Sequence, residues 1–303
     1  MASPFYINTG GDFGPGGSTI TSDINELGYT GTLATSIYLG NPAVAGTTVI
    51  DSNIDSVLTS FGVTAGSHTT VGGATVSWSL PSTSFPGYSN IDNLNYVAGP
   101  TDGNGFTSGT GSFPFGYGDI TSNGANSWGL TYLYNLTGET TANGVSYTSG
   151  YFNVFYEDGG AAKQVLRLNV TGSSINLANL DIFGGVSFDF DGNGTDDAAG
   201  DSFVQNFFND STTGKSFYDL WFEGLPSTLA VTWALDTNVN PPLPSVNDLV
   251  NTCTGAPEEK CGLVRQTTLD GSVAFEVPEP GSLALLGLGL AGLGFSGRRR
   301  NQA

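Results

Sequence analysis

Positive charge is what this sequence most lacks. Its 303 residues hold eight lysines and arginines against 27 aspartates and glutamates. The first 162 residues carry no basic side chain, and the eight are Lys163, Arg167, Lys215, Lys260, Arg265, Arg298, Arg299 and Arg300. Residues 1–278 contain 26 acidic and five basic side chains, a net charge of −21. Such a surface repels phosphate backbones, so no nucleic-acid partner is expected. Anionic membranes are equally poor partners and divalent cations good ones. The same acidity also serves to keep an exported protein soluble.

Cysteine and histidine are almost as scarce. Cys253 and Cys261 enclose the segment CTGAPEEKC. A short polar loop with Gly255 and Pro257 closes easily, and an oxidising compartment favours the bond. No histidine or third cysteine lies nearby to complete a zinc set, so a disulfide is expected rather than free thiols or half a metal site. The single histidine, His68 in AGSHTTVGG, has no nucleophile motif around it and reads as a loop or surface residue. There is no G-x-S-x-G elbow, P-loop or zinc signature. Glu157/Asp158 and Glu258/Glu259 are the acidic pairs that glycoside hydrolysis, with two carboxylates across a cleft, would draw on. Adjacent acids in glycine-rich loops are more often solvated turn residues. The chain is therefore expected not to be an enzyme, with a secreted carbohydrate-active enzyme as the alternative.

Helical signal is also thin. Forty-five glycines argue against long helices, since each interior glycine costs about 1 kcal/mol against alanine. One amphipathic helix is expected in VIDSNIDSVLTSF, where Ile50, Ile54, Val57, Leu58 and Phe61 share a stripe. SVNDLV after Pro244 fits one short turn with Ser245 as N-cap. No repeat of fixed period is present, which disfavours a solenoid. Alternation of period two dominates instead. ATVSWSL puts Val76, Trp78 and Leu80 on one face; TLAVTWALD does so with Leu229, Val231, Trp233 and Leu235. VLRLNV alternates Leu166, Leu168 and Val170 with Arg167 and Asn169. GLTYLYNL carries Tyr132 and Tyr134 on one face, and YFNVFY followed by Glu157-Asp158-Gly159-Gly160 suggests a hairpin. The expected fold is mainly β, an antiparallel β-sandwich or jelly roll with one or two short helices. It occupies residues 1–275 as a secreted β-rich domain, with two sub-domains as a variant.

The C-terminus is different in kind: VPEPGSLALLGLGLAGLGFSGRRRNQA. Residues 281–297 form an uncharged stretch at the lower limit for a transmembrane segment. Arg298, Arg299 and Arg300 follow at once, which favours arginines in the cytoplasm and the body outside. Pro278 and Pro280 break regular structure just before it. Val277-Pro278-Glu279-Pro280, a short Gly/Leu-rich span and a terminal arginine cluster together resemble the PEP-CTERM sorting signal of Gram-negative bacteria. The resemblance covers residues 276–303, under a tenth of the chain. It implies export, recognition by an exosortase-type sorting protease, and a transient inner-membrane anchor. Release to, or attachment at, the cell surface follows, often alongside exopolysaccharide in extracellular matrix or biofilm. A hydrophobic C-terminal helix outside the fold is expected there. The start, MASPFYINTGG, has neither a basic n-region nor an apolar h-region, and Ala2-Ser3-Pro4 resembles the start of a mature chain, so a leader already removed or omitted is expected.

The sharpest motif in the body is FDFDGNGTDD. In an extended chain Asp189 and Asp191 point to one side, with Phe188 and Phe190 toward the core. Asn193, Thr195 and Asp197 then continue a D-x-D-x-N-G-x-x-D spacing, and Gly194 permits a sharp turn. Many oxygens from one short loop suit a hard cation, and calcium in a structural role is the expected cofactor. The spacing resembles EF-hand loops and, more closely, the strand-flanked loops of integrin-type FG-GAP repeats. The twelfth EF-hand position would be Gly200 rather than Glu. Two further segments bear on partners. Phe113, Pro114, Phe115 and Tyr117 could expose rings to sugars. Thr69-Thr70 and the run from Thr107 to Thr110 raise an ice-binding face, though without a regular ladder. Sequence thus points to a non-catalytic exported cell-surface or matrix protein, calcium-stabilised and associated with polysaccharide. A carbohydrate-active enzyme or a carbohydrate- or ice-binding protein is the alternative.

Overall fold

The computed structural model describes residues 2–10, 19–21, 23–80, 92–97, 129–157, 162–176, 179–225, 230–239, 242–253 and 260–277. In chain order the elements begin with β1 (Phe5–Ile7), β2 (Glu26–Tyr38), β3 (Thr48–Ser52), α1 (Asp55–Ser60), β4 (Gly66–Thr69), β5 (Thr75–Trp78) and β6 (Asp92–Val97). The long strands β7 (Gly129–Thr140), β8 (Val145–Glu157), β9 (Lys163–Asn176) and β10 (Asn179–Ser187) follow. After them come α2 (Ser202–Gln205), β11 (Phe208–Asp210), α3 (Phe217–Gly224), β12 (Thr232–Asn238), β13 (Val250–Asn251) and β14 (Leu263–Glu276).

One large antiparallel sheet dominates, and it curls until its ends meet. Its order runs β14–β12–β10–β9–β8–β7–β3–β2, and β2 pairs β14 along eleven residue pairs from Leu263↔Tyr38 to Ala274↔Glu26. The ring is therefore a closed barrel of eight staves, with no free edge among them. The mainly β, antiparallel expectation holds, and closure does here what two facing sheets would do in a sandwich. Apolar side chains point inward: Tyr132, Tyr134 and Leu136 from β7, Leu168 and Val170 from β9, Trp233 and Leu235 from β12. Arg167, Asn169, Asn153 and Asp236 take the intervening outward positions. This alternation is the reverse of a barrel whose apolar face meets lipid.

Bulges bend the staves. The β7–β8 register shifts between Thr137 and Gly138, which lets Tyr147 and Phe152 both face inward despite their odd spacing. Gly138 has to be glycine, because a Cβ there would lie 2.2 Å from the Ser146 carbonyl oxygen.

The eighth stave is spliced from two strands. β3 pairs with β2 at Thr35–Tyr38 and with β7 at Asn135–Glu139. Farther along the same gap, β6 pairs with β2 at Glu26–Gly28 and with β7 at Leu130–Tyr132. Between the two, the fully buried side chain of Asn53 takes over the backbone's role. Its Oδ1 accepts from Tyr134 N at 2.7 Å, and its Nδ2 donates to the Tyr132 carbonyl at 3.0 Å.

One end of the barrel is filled by aromatic rings. β1 pairs with β11 and carries Phe5 against Phe208, Phe217 and Phe275, with ring centroids 5.1–6.0 Å from Phe5. A smaller core lies outside the barrel wall, where Leu58, Val63 and Trp78 cover Ile37 and Val264. The His68 ring packs against Trp78 in the β4–β5 hairpin, with centroids 4.2 Å apart and planes tilted by 34°.

Two local expectations change. VIDSNIDSVLTSF is not one helix: Thr48–Ser52 joins the sheet and only Asp55–Ser60 is helical. The β-branched Thr48-Val49-Ile50 run suits a strand with partners waiting on both sides. The eight-residue α3 was not anticipated; Ser216 caps it by accepting from Asp219 N, and Phe217 and Trp221 bury its inner face. SVNDLV forms a single 3-10 turn with Ser245 as cap. The C-terminal span lies outside the described residues.

Candidate metal centre

β10 delivers the chain to the metal-loop candidate. Phe188 is buried against Tyr218 and Trp221, and Asp197 N donates back to the Phe188 carbonyl at 3.0 Å, closing the loop at its neck. Gly192 and Gly194 take φ of 78° and 88°, the left-handed backbone that glycine adopts at least cost.

Of the five expected ligands, the structure gathers the three acids. Ligand oxygens of Asp189, Asp191 and Asp197 lie within 4.8 Å of one another. Asp189 Oδ1 accepts from Gly192 N and Asn193 N, and its Oδ2 from Gly194 N. Asp197 Oδ2 accepts from Phe190 N at 2.6 Å and Asp191 N at 3.3 Å. Asn193 turns its amide to Asp191 Oδ2 at 2.6 Å, while its Oδ1 accepts from Thr195 N and Thr195 Oγ1. Asn193 and Thr195 therefore brace the loop from within. The donor set is all oxygen, which fits a hard cation such as calcium. No acid stands at position 200, where Gly200 turns the chain into α2 with φ of 80°. The next acid, Asp201, is engaged by Lys163 Nζ at 2.6 Å and caps α2.

Two participants lie outside the motif, Arg167 and Tyr218. Arg167, from β9, donates to the Phe190 carbonyl at 2.6 Å and to Asn169 Oδ1 at 2.7 Å, and lies over the Tyr151 ring at 4.1 Å. Half-burial lowers its pKa from the usual arginine value, with Tyr151, Asp189, Asp191 and Asp197 opposing that shift. Its charge offsets one of the three carboxylates, and its hydrogen bonds go to carbonyl and amide oxygens. Asp196 turns the other way and accepts from Tyr218 OH at 2.6 Å, tying the loop to α3.

Cys253 and Cys261 are joined as a disulfide, with Cα atoms 4.8 Å apart. Glu157 ends β8, whereas Asp158, Glu258, Glu259, the Phe113–Tyr117 aromatics and Thr107–Thr110 lie outside the described residues. Val277, the first residue of the sorting motif, donates its N–H to Ser3 Oγ at 3.0 Å and packs on the barrel core. The remaining motif residues, Pro278, Glu279, Pro280 and the arginines, also lie outside. Among the described residues no helix is long and apolar enough to cross a membrane.

Fold and tail together define an exported protein with a closed antiparallel β body. The family described as the PEP-CTERM protein-sorting motif matches residues 276–300. The chain carries the C-terminal sorting signal through which exosortase handles exported proteins in Gram-negative bacteria. No curated protein and no solved structure matches the chain.

Proposed function

We propose that this chain is a non-catalytic protein of the cell surface or extracellular matrix, stapled by calcium and associated with exopolysaccharide. The observation that carries the reading is the convergence of three aspartates on one glycine-turned loop in a chain addressed to the exterior. Three carboxylates facing one guanidinium leave the loop with excess negative charge, which a divalent ion relieves. In this reading Asp189, Asp191 and Asp197 hold the ion. The ion locks the loop between β10 and α2 and performs no chemistry. Polysaccharide is the proposed partner because the sorting signal often accompanies matrix proteins.

Calcium at 10 mM, with the 0.1–1 mM affinity of extracellular modules, should raise the melting temperature by about 3–8 °C. Asp191→Ala should abolish that rise while leaving the calcium-free melting point nearly unchanged. A melting point indifferent to calcium in the unmutated protein would sink the staple. A glycan array on which nothing binds would count against the polysaccharide partner.

A further inference from the structure

We propose that the part of the barrel lumen away from the phenylalanine cluster is a binding site for a small, uncharged, largely apolar molecule that carries a hydroxyl group. The two ends of the lumen are built differently. One is packed solid by Phe5, Phe208, Phe217 and Phe275. The other holds a cavity of about 50 Å³, lined by residues of all eight staves and by Val239 and Pro242.

Its walls differ in chemistry. Leu180, Ile182, Leu235 and Ile175 make one side aliphatic. Opposite them, three neighbouring strands bring a row of polar groups into register: Asp51 on β3 faces Ser36 on β2, which faces Arg265 on β14. Asp51 is 6% exposed. It accepts from Ser36 Oγ at 2.6 Å, Tyr134 OH at 2.8 Å and Tyr147 OH at 3.0 Å. An aliphatic row would stabilise a barrel wall at less cost than a buried carboxylate beside a partly buried arginine.

The network sets what can enter. A phenol that donates its hydrogen bond to Asp51 keeps oxygen lone pairs that can accept. Tyr147 thus offers an acceptor to a donor on the entering molecule, and a hydroxyl fits. The lumen already contains one anion and one cation, both acting on Tyr38 and Tyr147. A charged guest would arrive with no further counter-charge in a buried setting, so a neutral one is favoured. The apolar body then lies against Leu180 and Ile182.

The test is calorimetric titration of the purified full-length chain at pH 7 with p-cresol, benzoate and benzylamine, three probes of one size and different charge. p-Cresol should bind with Kd of about 1 mM or tighter. It should also bind at least about tenfold more tightly than either charged probe, a gap of roughly 1.4 kcal/mol. Tyr147→Phe should weaken it about fivefold to tenfold, a typical loss for one hydrogen bond. Leu180→Phe, which fills the aliphatic side, should abolish binding with the far-UV circular dichroism unchanged. Absence of binding by p-cresol, preference for benzoate or benzylamine, or undiminished binding to Leu180→Phe would each overturn the proposal. Should either variant misfold, the ranking of the three probes on the unmutated chain still decides.

Discussion

Asn53→Ala should be among the costliest single polar substitutions in this protein. The side chain bridges the splice between β3 and β6, where the backbone of Asn53 itself reaches β7 only through its N–H to the Tyr134 carbonyl, at 3.3 Å. Its loss removes two hydrogen bonds, to Tyr134 N at 2.7 Å and the Tyr132 carbonyl at 3.0 Å, at a site with no solvent exposure. Each bond is worth about 1 kcal/mol net, and each buried group left unpaired costs about 1–3 kcal/mol. Allowing for partial relaxation or one admitted water, the expected loss is about 2–4 kcal/mol, a large share of a typical 5–15 kcal/mol stability. Urea unfolding followed by tryptophan emission measures it, and the slope with denaturant should stay constant while the midpoint falls. Asn53→Asp offers a control: its carboxylate still accepts from Tyr134 N but faces the Tyr132 carbonyl with no proton to give. That variant should regain stability as acidification protonates it. A change below about 0.5 kcal/mol for Asn53→Ala would refute the idea that one side chain carries the splice.

Alkali should weaken the barrel through its lumen tyrosines. Burial, with Asp51 adding to it and Arg265 opposing it, pushes Tyr38 up to about 12, and burial with Asp51 raises Tyr147 well above the usual tyrosine value. The neutral phenols are favoured in the fold, so stability is full below pH 10 and declines as pH rises toward 12. Tyr38 alone accounts for about 3 kcal/mol over that window. Urea midpoints that stay flat from pH 9 to pH 12 would contradict this, and Tyr38→Phe should shallow the decline. The disulfide closes a short loop, with Cys253 and Cys261 eight positions apart. The Cys253→Ser/Cys261→Ser double variant should therefore lose about 2.5 kcal/mol on chain-entropy grounds. An unchanged midpoint would show that the loop is held by other means.

Much of the architecture is legible in alternation. Strands around Trp233, Leu168 and Tyr134 announce themselves because one face is buried and the other solvated. Closure is not legible, because the pairing of β2 with β14 joins residues more than two hundred positions apart. The face assignment of Asp51 is hidden for another reason. In VIDSNIDSVLTSF the apolar spacing fits a helical stripe, and only the neighbours β2 and β7 turn Thr48–Ser52 into a strand with Asp51 pointing inward. At the acidic loop, the spacing of Asp189, Asp191 and Asp197 is enough to anticipate their convergence. Arg167 is not, because it arrives from a different strand.

Removal of the sorting tail is tested most directly by intact-mass analysis of the protein recovered from its native cells. The expected result is a body outside the cell whose chain ends at or near Pro278–Pro280, with residues 281–303 removed. Exported protein that still retains Arg298, Arg299 and Arg300 would contradict it.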